Sequence, residues 1–404
     1  MDRLEVQGSR LLADLQTLRS FGATGNGVVR PAFSGTDLTA RRWLADRMAE
    51  AGLTVHWDPI GNLFGLPPGD TPALLIGSHS DTQPEGGWLD GAFGVIAGLE
   101  VARASCEQGG PPVAVVAFQD EEGRFGGGVT GTRVWTGEMA LADADASHDR
   151  DGQQLAPLRA TVPELADTEF LPLSRFHALI EPHIEQGPVL DREGLKVGLV
   201  EDIVGSINLP LTFLGHQNHA GTTPMPLRRD AFQGLLAFAE RLNRRFTELA
   251  GPATVWTIGQ VALHPNAPSI VPGRARAHLQ WRDASAERLQ AMESAARSLA
   301  AEVAAERKLE AVFEPADYLA PVPMAPHLID RLQEAAEARA TGQWRRMPSG
   351  ALHDASVLAR HLPTAMLFAP SIDGISHSFE EDTEGADLVL VTQVLAEAAT
   401  RVTA

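Results

Sequence analysis

The strongest constraint on the fold is a strand, helix and strand order in the first third of the chain. The apolar segments ALLIGSH, residues 73–79, and PVAVVAF, residues 112–118, have the composition of buried strands. The segment between them, GAFGVIAGLEVARASCEQGG, residues 91–110, is typical of a helix that ends at two glycines. A crossover of this length joins two parallel strands of one sheet. The sequence therefore predicts an α/β layer structure.

Composition limits the class of protein. The chain has 404 residues, of which 44% are hydrophobic, so about two folded domains are expected. The formal net charge of -19 repels a phosphate backbone, and we therefore expect no nucleic-acid partner. Cys106 is the single cysteine, the N-terminal segment has the pattern of an amphipathic helix rather than a signal peptide, and the apolar runs are too short to cross a bilayer. We predict a cytoplasmic protein with no membrane partner.

The pattern of predicted elements also divides the chain. The segment DLTARRWLADRMAEAGL, residues 37–53, is predicted to be a helix with Thr36 or Asp37 as its N-cap. From residue 207 the order becomes strand, helix, two strands, helix and strand, which is typical of a small α+β domain of the split βαβ type. We therefore predict an inserted domain at 207–318 within a catalytic domain formed by 1–206 and 319–404.

Ionisable residues follow the predicted strands at their carboxyl ends, where the loops of a parallel sheet converge. They are His79 and Asp81, then Asp120, Glu121 and Glu122, then His183, Glu185 and Gln186, and His377, with Asp90 at the start of a helix. Taken singly, each such residue is more often a surface, capping or core residue. Their joint placement favours a metal hydrolase, because clustered imidazoles and carboxylates need positive charge among them, and a pair of divalent cations supplies it. Ligands of these types suit zinc, cobalt, manganese or nickel without choosing between them.

These residues lie in motifs that resemble one known family. The motifs are GSHSDT, WLDGAFGV, DEEG, HIEQGPVL, GHQNHAGTTPM, SGALHDA and GISHS, between Gly77 and Ser378. They are similar to those of the hydantoinase/carbamoylase-type amidases, a branch of the metallo-aminoacylase and carboxypeptidase clan that includes N-carbamoyl-L-amino acid hydrolases, β-ureidopropionases and allantoate amidohydrolases. The resemblance implies a catalytic α/β domain with a mixed, mostly parallel sheet flanked by helices. It also implies an inserted, ferredoxin-like domain that serves as a lid and as the interface of a homodimer.

The resemblance further implies a set of metal ligands. His79 and His183 would hold one ion, Glu122 and His377 would hold the other, and Asp90 would bridge the two.

Roles for the surrounding residues are implied in the same way. Glu121 would activate the attacking water as general base and then protonate the leaving nitrogen, and Asp81 would orient the imidazole of His79. His219, in the inserted domain, would stabilise the oxyanion from the partner subunit. The substrate, which would carry a carboxylate, would be bound by His219 together with Gln186, Ser269, Arg282 and His353.

Two positions depart from the family pattern. Gly123 is followed directly by Arg124 and Phe125, where the family has one more residue, so the loop beside the site is predicted to be shortened. Ser269, in PSIVPG, stands where the family commonly has Asn. A Ser hydroxyl reaches less far and offers fewer hydrogen bonds, so recognition of the substrate carboxylate or carbonyl is expected to differ.

Together the residues and the resemblance predict a dinuclear metal-dependent amidohydrolase that cleaves a linear C–N amide. The first candidate substrate is an N-carbamoyl-L-amino acid or a related ureido acid, and the first candidate metal is zinc, ahead of manganese, cobalt or nickel. One alternative keeps the chemistry and changes the substrate, as in a dipeptidase or aminoacylase of the same clan. The other is a catalytically silent binding protein on the same fold, and the complete set of ligands and acids counts against it.

Overall fold

The chain forms two compact units in a computed structural model that describes residues 3–402. The first unit comprises the residues up to Glu201 and those from Pro323 onward, and the second comprises Asp202–Val322. No helix within residues 3–402 combines the length and the apolar character that crossing a membrane requires.

The helices and strands are numbered along the chain. The helices are α1 (Gly8–Ser20), α2 (Gly35–Glu50), α3 (Ala92–Gln108), α4 (Thr130–Trp135), α5 (Leu141–Ala146), α6 (Leu155–Ala160), α7 (Val189–Glu193), α8 (Ala231–Leu249), α9 (Ala286–Arg307), α10 (Pro326–Arg339), α11 (Asp354–Leu358) and α12 (Gly385–Ala399). The strands are β1 (Ala23–Thr24), β2 (Gly27–Val28), β3 (Thr54–Trp57), β4 (Leu63–Leu66), β5 (Ala73–His79), β6 (Val113–Phe118), β7 (Phe176–Ile184), β8 (Val197–Ile203), β9 (Gly205–Leu214), β10 (Asn218–His219), β11 (Val255–His264), β12 (Ile270–Val271), β13 (Arg274–Asp283), β14 (Glu310–Phe313), β15 (Asp317–Leu319), β16 (Val322–Pro323), β17 (Trp344–Ser349) and β18 (Thr364–Ala369).

A nine-stranded mixed sheet lies at the centre of the first unit, in the order β16-β8-β18-β7-β5-β6-β4-β3, with β17 paired to β8. Strands β18, β7, β5 and β6 run parallel, whereas β8, β4 and β3 pair antiparallel outside them. The parallel strands are buried almost throughout, as expected where helices cover both faces. The predicted α/β class with a mixed sheet flanked by helices is confirmed.

Side chains alternate between two hydrophobic clusters, one on each face of this sheet. Leu74 and Ile76 of β5 pack in the larger cluster with residues of α3, α10 and α12. Leu75, between them, packs on the opposite face with Phe118 and Trp135. This alternation follows from the twofold repeat of a strand, and it leaves the strand ends free to carry polar residues.

Helix α2 begins before the predicted position. Its N-cap is Ser34, whose hydroxyl accepts a hydrogen bond from the Asp37 amide, so the prediction of Thr36 or Asp37 is wrong. Asp37 is buried inside the first turn, where its carboxylate accepts from the amide of Phe33 and the side chain of Gln119. Ser34 caps the helix, while Asp37, in the first turn, turns its carboxylate back to the amide before the cap.

The second unit has an antiparallel sheet in the order β11-β13-β9-β14, with β15 also paired to β9. Residues of β9 are alternately buried and half-buried, and the buried ones pack with side chains of α8 and α9. Phe213, Phe238 and Trp281 are among the residues of this separate core. Strand β11 is an edge strand whose side chains are mostly exposed.

Strand order explains where a ligand can reach the first unit. Strand β5 lies between β6, to which α3 connects it, and β7, which follows later in the chain. The chain continues from β5 to β6 and from β7 to β8, in opposite directions along the sheet, and such a switch point opens a crevice at the carboxyl ends of the strands. His79 ends β5 and His183 lies near the end of β7, so both side chains are carried to this crevice.

Candidate metal centre

Three buried residues form a first group that could hold a metal ion. One ligand atom each from His79, Asp90 and His183 lies within 4.8 Å of the others. The Nε2 atom of His183 is 3.0 Å from Oδ1 of Asp90, and Nε2 of His79 is 3.8 Å from the same oxygen. We call these three residues the buried set.

A second group shares the same aspartate. Asp90, Glu122 and His377 also place one ligand atom each within 4.8 Å of one another. The Nε2 atom of His377 is 3.1 Å from Oδ2 of Asp90 and 3.6 Å from Oε2 of Glu122. The side chain of His377 is 50% exposed, and we therefore call this group the open set. The other four predicted ligands thus lie around the carboxylate of Asp90, with one of its oxygens facing each set.

The orientation of the buried imidazoles tests whether a cation fits. Nδ1 of His79 is 3.0 Å from the carbonyl oxygen of Asp81, and Nδ1 of His183 is 2.8 Å from that of Ile184. A carbonyl only accepts hydrogen bonds, so each Nδ1 carries a proton and each neutral ring turns the lone pair of Nε2 toward Asp90. A lone pair that faces a carboxylate needs positive charge between them, and a proton or a metal ion provides it. The residues fit a divalent cation.

Protonation in the metal-free chain follows the same geometry. Burial of Asp90 acts to raise its pKa, but hydrogen bonds from His183 and His377 lower it well below its usual range. Burial of His183 acts to lower its pKa, but the hydrogen bond and charge of Asp90 raise it to about 9. The hydrogen bond to Asp90 raises the pKa of His377 to about 9. Two imidazolium protons therefore supply the positive charge that metal ions would supply.

Glu121 and Glu122 face the same cluster although they are adjacent in sequence, which a straight strand would not allow. The loop after β6 bends at Asp120, which has a left-handed φ of 57° and accepts a hydrogen bond from the Phe125 amide. Oε2 of Glu121 is 3.6 Å from Nε2 of His79, while Glu122 belongs to the open set. Burial, followed by the charge of Asp354, raises the pKa of Glu121 well above its usual range. The bend therefore allows Glu122 to serve as a metal ligand while the adjacent Glu121 remains an acid that is not a ligand.

Gly91 is required beside the buried set. It has φ of 62°, and a Cβ atom built there would lie 2.4 Å from the ring of His79. Any side chain at this position would displace the imidazole, and the backbone conformation is also one that favours glycine. The WLDG motif thus supplies one ligand, Asp90, and, through Gly91, the space that the ring of His79 occupies.

The predicted substrate residues of the first unit lie beside the ligands. The amide nitrogen of Gln186 donates to Oδ2 of Asp90 at 3.1 Å and to the hydroxyl of Ser376 at 3.2 Å. His353 is buried, its ring centroid is 4.5 Å from that of His183, and its Nε2 is 2.9 Å from the Ser349 hydroxyl. His353 occupies the N-cap position of α11 without a capping side-chain hydrogen bond.

The other predicted substrate residues belong to the second unit. His219 ends β10 and pairs with Ile270 of β12, and the amide of Ala220 donates to the carbonyl oxygen of Ser269 at 2.9 Å. Arg282 lies near the end of β13, in register with Ser206 of β9. His219 and Ser269 are therefore neighbours, whereas Arg282 is placed by a different strand.

With this geometry described, comparison with known proteins decides the family. The chain matches Peptidase family M20/M25/M40 over residues 75–401. It belongs to this family. The chain is 34% identical to the N-carbamoyl-L-amino-acid amidohydrolase of Paenarthrobacter aurescens, with 97% of each chain covered. It is also 34% identical to the allantoate amidohydrolase of Escherichia coli (strain K12), with 95% of each covered.

A solved structure supports the same assignment. The crystal structure of an amidase of the hydantoinase/carbamoylase family from Burkholderia phymatum has a TM-score of 0.93 to this chain at 45% identity. The match covers 99% of this chain and 98% of that one. The resemblance inferred from the motifs is confirmed.

Two residues that hold the centre of this M20/M25/M40 family member together were missed in the sequence. Glu381 is buried, and its carboxylate accepts hydrogen bonds from the amides of Leu89 and Asp90 and from the hydroxyl of Ser376. Gln83 donates to the carboxylate of Glu122 from its backbone at 3.0 Å and from its side chain at 2.7 Å. The acidic run that follows GISHS was the available signal for Glu381, whereas nothing local marks Gln83.

The structure also refines how Asp81 meets His79. The carbonyl oxygen of Asp81 is closer to Nδ1 of His79, at 3.0 Å, than its carboxylate is, at 3.7 Å. The carboxylate instead accepts a hydrogen bond from the amide of Glu122 at 3.2 Å. Asp81 therefore contacts one residue of each ligand set, once through its backbone and once through its side chain.

Proposed function

We propose that this chain is a dinuclear metal-dependent amidohydrolase whose substrate is an N-carbamoyl-L-amino acid or a related ureido acid. The observation that carries the proposal is the shared carboxylate of Asp90 between two ligand sets, with the free acid Glu121 beside them. The relatives named for N-carbamoyl amino acids and for allantoate support the substrate class, because both compounds carry a carboxylate and a ureido C–N bond.

One ion would be held by His79 and His183 and the other by Glu122 and His377, with Asp90 common to both. When bound, a pair of divalent ions polarises the scissile carbonyl and makes water a nucleophile near neutral pH. Zinc is our first candidate, because imidazole and carboxylate ligands suit it, and manganese, cobalt or nickel would suit the same donors.

Glu121 would move the proton. Its carboxylate would take a proton from the attacking water and then deliver it to the leaving nitrogen. Burial and the neighbouring acid Asp354 favour the protonated form of Glu121, and this suits the second of these steps, in which the side chain acts as an acid.

The predicted substrate residues would each contact a different part of the substrate. Gln186 and His353 lie beside the ligand sets and would contact the ureido end. Arg282 would pair with the substrate carboxylate, for which a planar guanidinium is well shaped, with Ser269 nearby in the role that Asn has in the family. His219 would donate a hydrogen bond to the oxyanion.

We further propose that the second unit is a ferredoxin-like lid through which two copies form a homodimer in the cytoplasm. Its strand order β11-β13-β9-β14 and its two helices support this reading of the fold. The exposed edge strand β11 supports the dimer, because a long unpaired edge offers its backbone groups to another strand.

A substrate panel run on metal-reconstituted protein tests the proposal. We expect turnover of N-carbamoyl amino acids or allantoate. Preferential turnover of dipeptides or acylated amino acids would show instead that the chain is a dipeptidase or an aminoacylase. Glu121→Gln should keep the metal content and lower kcat by about 10³-fold or more, because the proton carrier is lost. Glu85→Gln, an exposed acid in the neighbouring loop, is the matched control and should retain activity. Less than two equivalents of bound metal with no amide hydrolysis would favour a silent binding protein.

A further inference from the structure

The loop that follows β10 closes on the imidazole of His219. The amides of Gly221 and Thr222 lie 3.0 Å and 3.2 Å from Nδ1 of this ring and donate hydrogen bonds to it. A backbone amide cannot accept, so Nδ1 must carry a lone pair. The neutral imidazole of His219 therefore keeps its proton on Nε2, which remains the hydrogen-bond donor of this exposed side chain.

Arg228 holds the same loop from its other side. Its Nε donates to the carbonyl oxygen of Thr223 at 3.0 Å, and its Nη2 donates to that of Ala220. The carbonyl of Ala220 and the amide of Gly221 belong to one planar peptide unit and point in opposite directions. A guanidinium that binds this carbonyl therefore aims the amide at His219, and its charge polarises the peptide in the direction that strengthens the second hydrogen bond.

Two further features keep the loop tight around the ring. The amide and hydroxyl of Thr223 both donate to the carbonyl oxygen of His219, at 3.2 Å and 2.6 Å. A Cβ atom at Gly221 would lie 3.2 Å from Cε1 of the ring and 3.4 Å from Nδ1. A side chain at residue 221 would thus press on the imidazole and shift it by a few tenths of an ångström.

We propose that Arg228 is a positioning residue that fixes His219 as an Nε2–H donor before any substrate is bound. The catalytic part of this inference rests on the proposed function, in which His219 donates to the oxyanion. A donor whose proton is already on the correct nitrogen needs no rearrangement when negative charge develops. Without the anchor on Ala220, the hydrogen bond from the Gly221 amide is weakened, and the proton can shift to Nδ1 in part of the population.

The tautomer can be measured without any turnover. Two-bond ¹H–¹⁵N correlation spectra of ¹⁵N-histidine-labelled protein, with the His219 signal assigned by its loss in His219→Gln, should show the Nε2-protonated form. Arg228→Ala should add a clear Nδ1-protonated population, and Arg228→Lys, which can reach only one carbonyl, should fall between the two. Arg229→Ala is the matched control, because the neighbouring guanidinium contacts the carbonyl of Lys308 instead of this loop, and it should leave the tautomer unchanged.

Kinetics supply the second readout. Arg228→Ala should lower kcat by about 10-fold, a part of the 10²–10³ that losing an oxyanion donor costs, with KM within about twofold of the unaltered protein. Gly221→Ala should act in the same direction without touching the arginine. An Nδ1-protonated ring in the unaltered protein, or an Arg228→Ala spectrum identical to that of Arg229→Ala, overturns the inference. Absence of amide turnover would overturn the proposed function instead and would leave the tautomer result standing.

Discussion

The two ligand sets that share Asp90 are built in different ways. In the buried set, His79 and His183 lie on strands, are at most 2% exposed, and are held by backbone carbonyls. In the open set, Glu122 and His377 lie on loops, and His377 has a left-handed φ of 52° and a half-exposed side chain.

This difference also extends to what holds the ligands. Glu122 is held by Gln83, and His377 lies 3.4 Å from the amide nitrogen of Gln186. The carbonyl of Ile184 is fixed by strand β7 and that of Asp81 by the buried loop just after β5, whereas the side-chain amides of Gln83 and Gln186 can change rotamer. The buried set is therefore part of the hydrophobic core of the first unit, whereas the open set can adjust its side chains to a ligand.

Removal of the shared carboxylate should have the largest effect. Asp90→Asn keeps the shape of the side chain but removes the charge that both sets depend on, so both metal equivalents and all turnover should be lost. Elemental analysis after gel filtration measures this directly. Retention of one full equivalent would show that one of the sets binds its ion without the charge of Asp90.

The pH dependence of metal binding should differ between the sets. In the metal-free chain, Glu122 and His377 hold protons with pKa values of about 8 and about 9. In the buried set only His183, with a pKa of about 9, holds one, because burial lowers the pKa of His79 to about 4.

Metal binding requires deprotonated ligands, so affinity rises as pH increases toward these pKa values. Below about pH 8, affinity should rise by about 100-fold per pH unit at the open set and by about 10-fold at the buried set. Titration against a competing chelator between pH 6 and pH 8 measures both slopes. Equal slopes would contradict the expectation that the open set releases two protons on binding metal and the buried set one.

Two histidine variants should show that the ligand on a strand contributes more to stability than the ligand on a loop. His183→Ala removes the buried partner of Asp90 Oδ1 and a ring packed on His353, so the free energy of unfolding of the metal-free protein should fall by about 3 kcal/mol. His377→Ala should cost less than about 1 kcal/mol, because its half-exposed side chain gains little from pairing. Urea denaturation with chelator present gives both free energies of unfolding. Equal losses in the two variants would contradict the difference between the buried and open sets.

The smallest predicted effect concerns the residue that holds Glu122. Gln83→Ala removes one of the two hydrogen bonds that Gln83 donates to this carboxylate, so metal affinity at the open set should fall by about 10-fold. Affinity at the buried set should not change, which provides an internal control. A matching loss at both sets would mean that Gln83 supports the whole centre.

Much of the site could be predicted because its residues follow apolar strands. His79 and Glu122 come directly after segments whose composition indicates buried parallel strands, and the carboxyl ends of such strands meet at one edge. What could not be predicted depends on contacts between distant segments. Glu381 accepts a hydrogen bond from the amide of Asp90 across 291 residues, and the acidic run that contains Glu381 does not indicate which amide it binds.

The N-cap of α2 shows the same limit at short range. Ser34, Thr36 and Asp37 all have capping side chains, so propensity could not choose among them. The helix begins at Gly35, so Asp37 lies within its first turn, and its carboxylate accepts from the Phe33 amide and from the side chain of Gln119, in the loop after β6.

The sequence by itself determined the α/β class, the family and the identity of the candidate ligands, because hydrophobic period and short motifs are local properties of the chain. Only the tertiary structure decided which oxygen of Asp90 faces which set and how Glu121 and Glu122 come to lie on one side. Those outcomes depend on the strand order around β5 and on the bend at Asp120. The strand order arises from packing between segments that are far apart in the chain. The bend depends on the left-handed φ of Asp120 and on its hydrogen bond from the Phe125 amide, and the hydrophobic pattern of the segment does not contain that information.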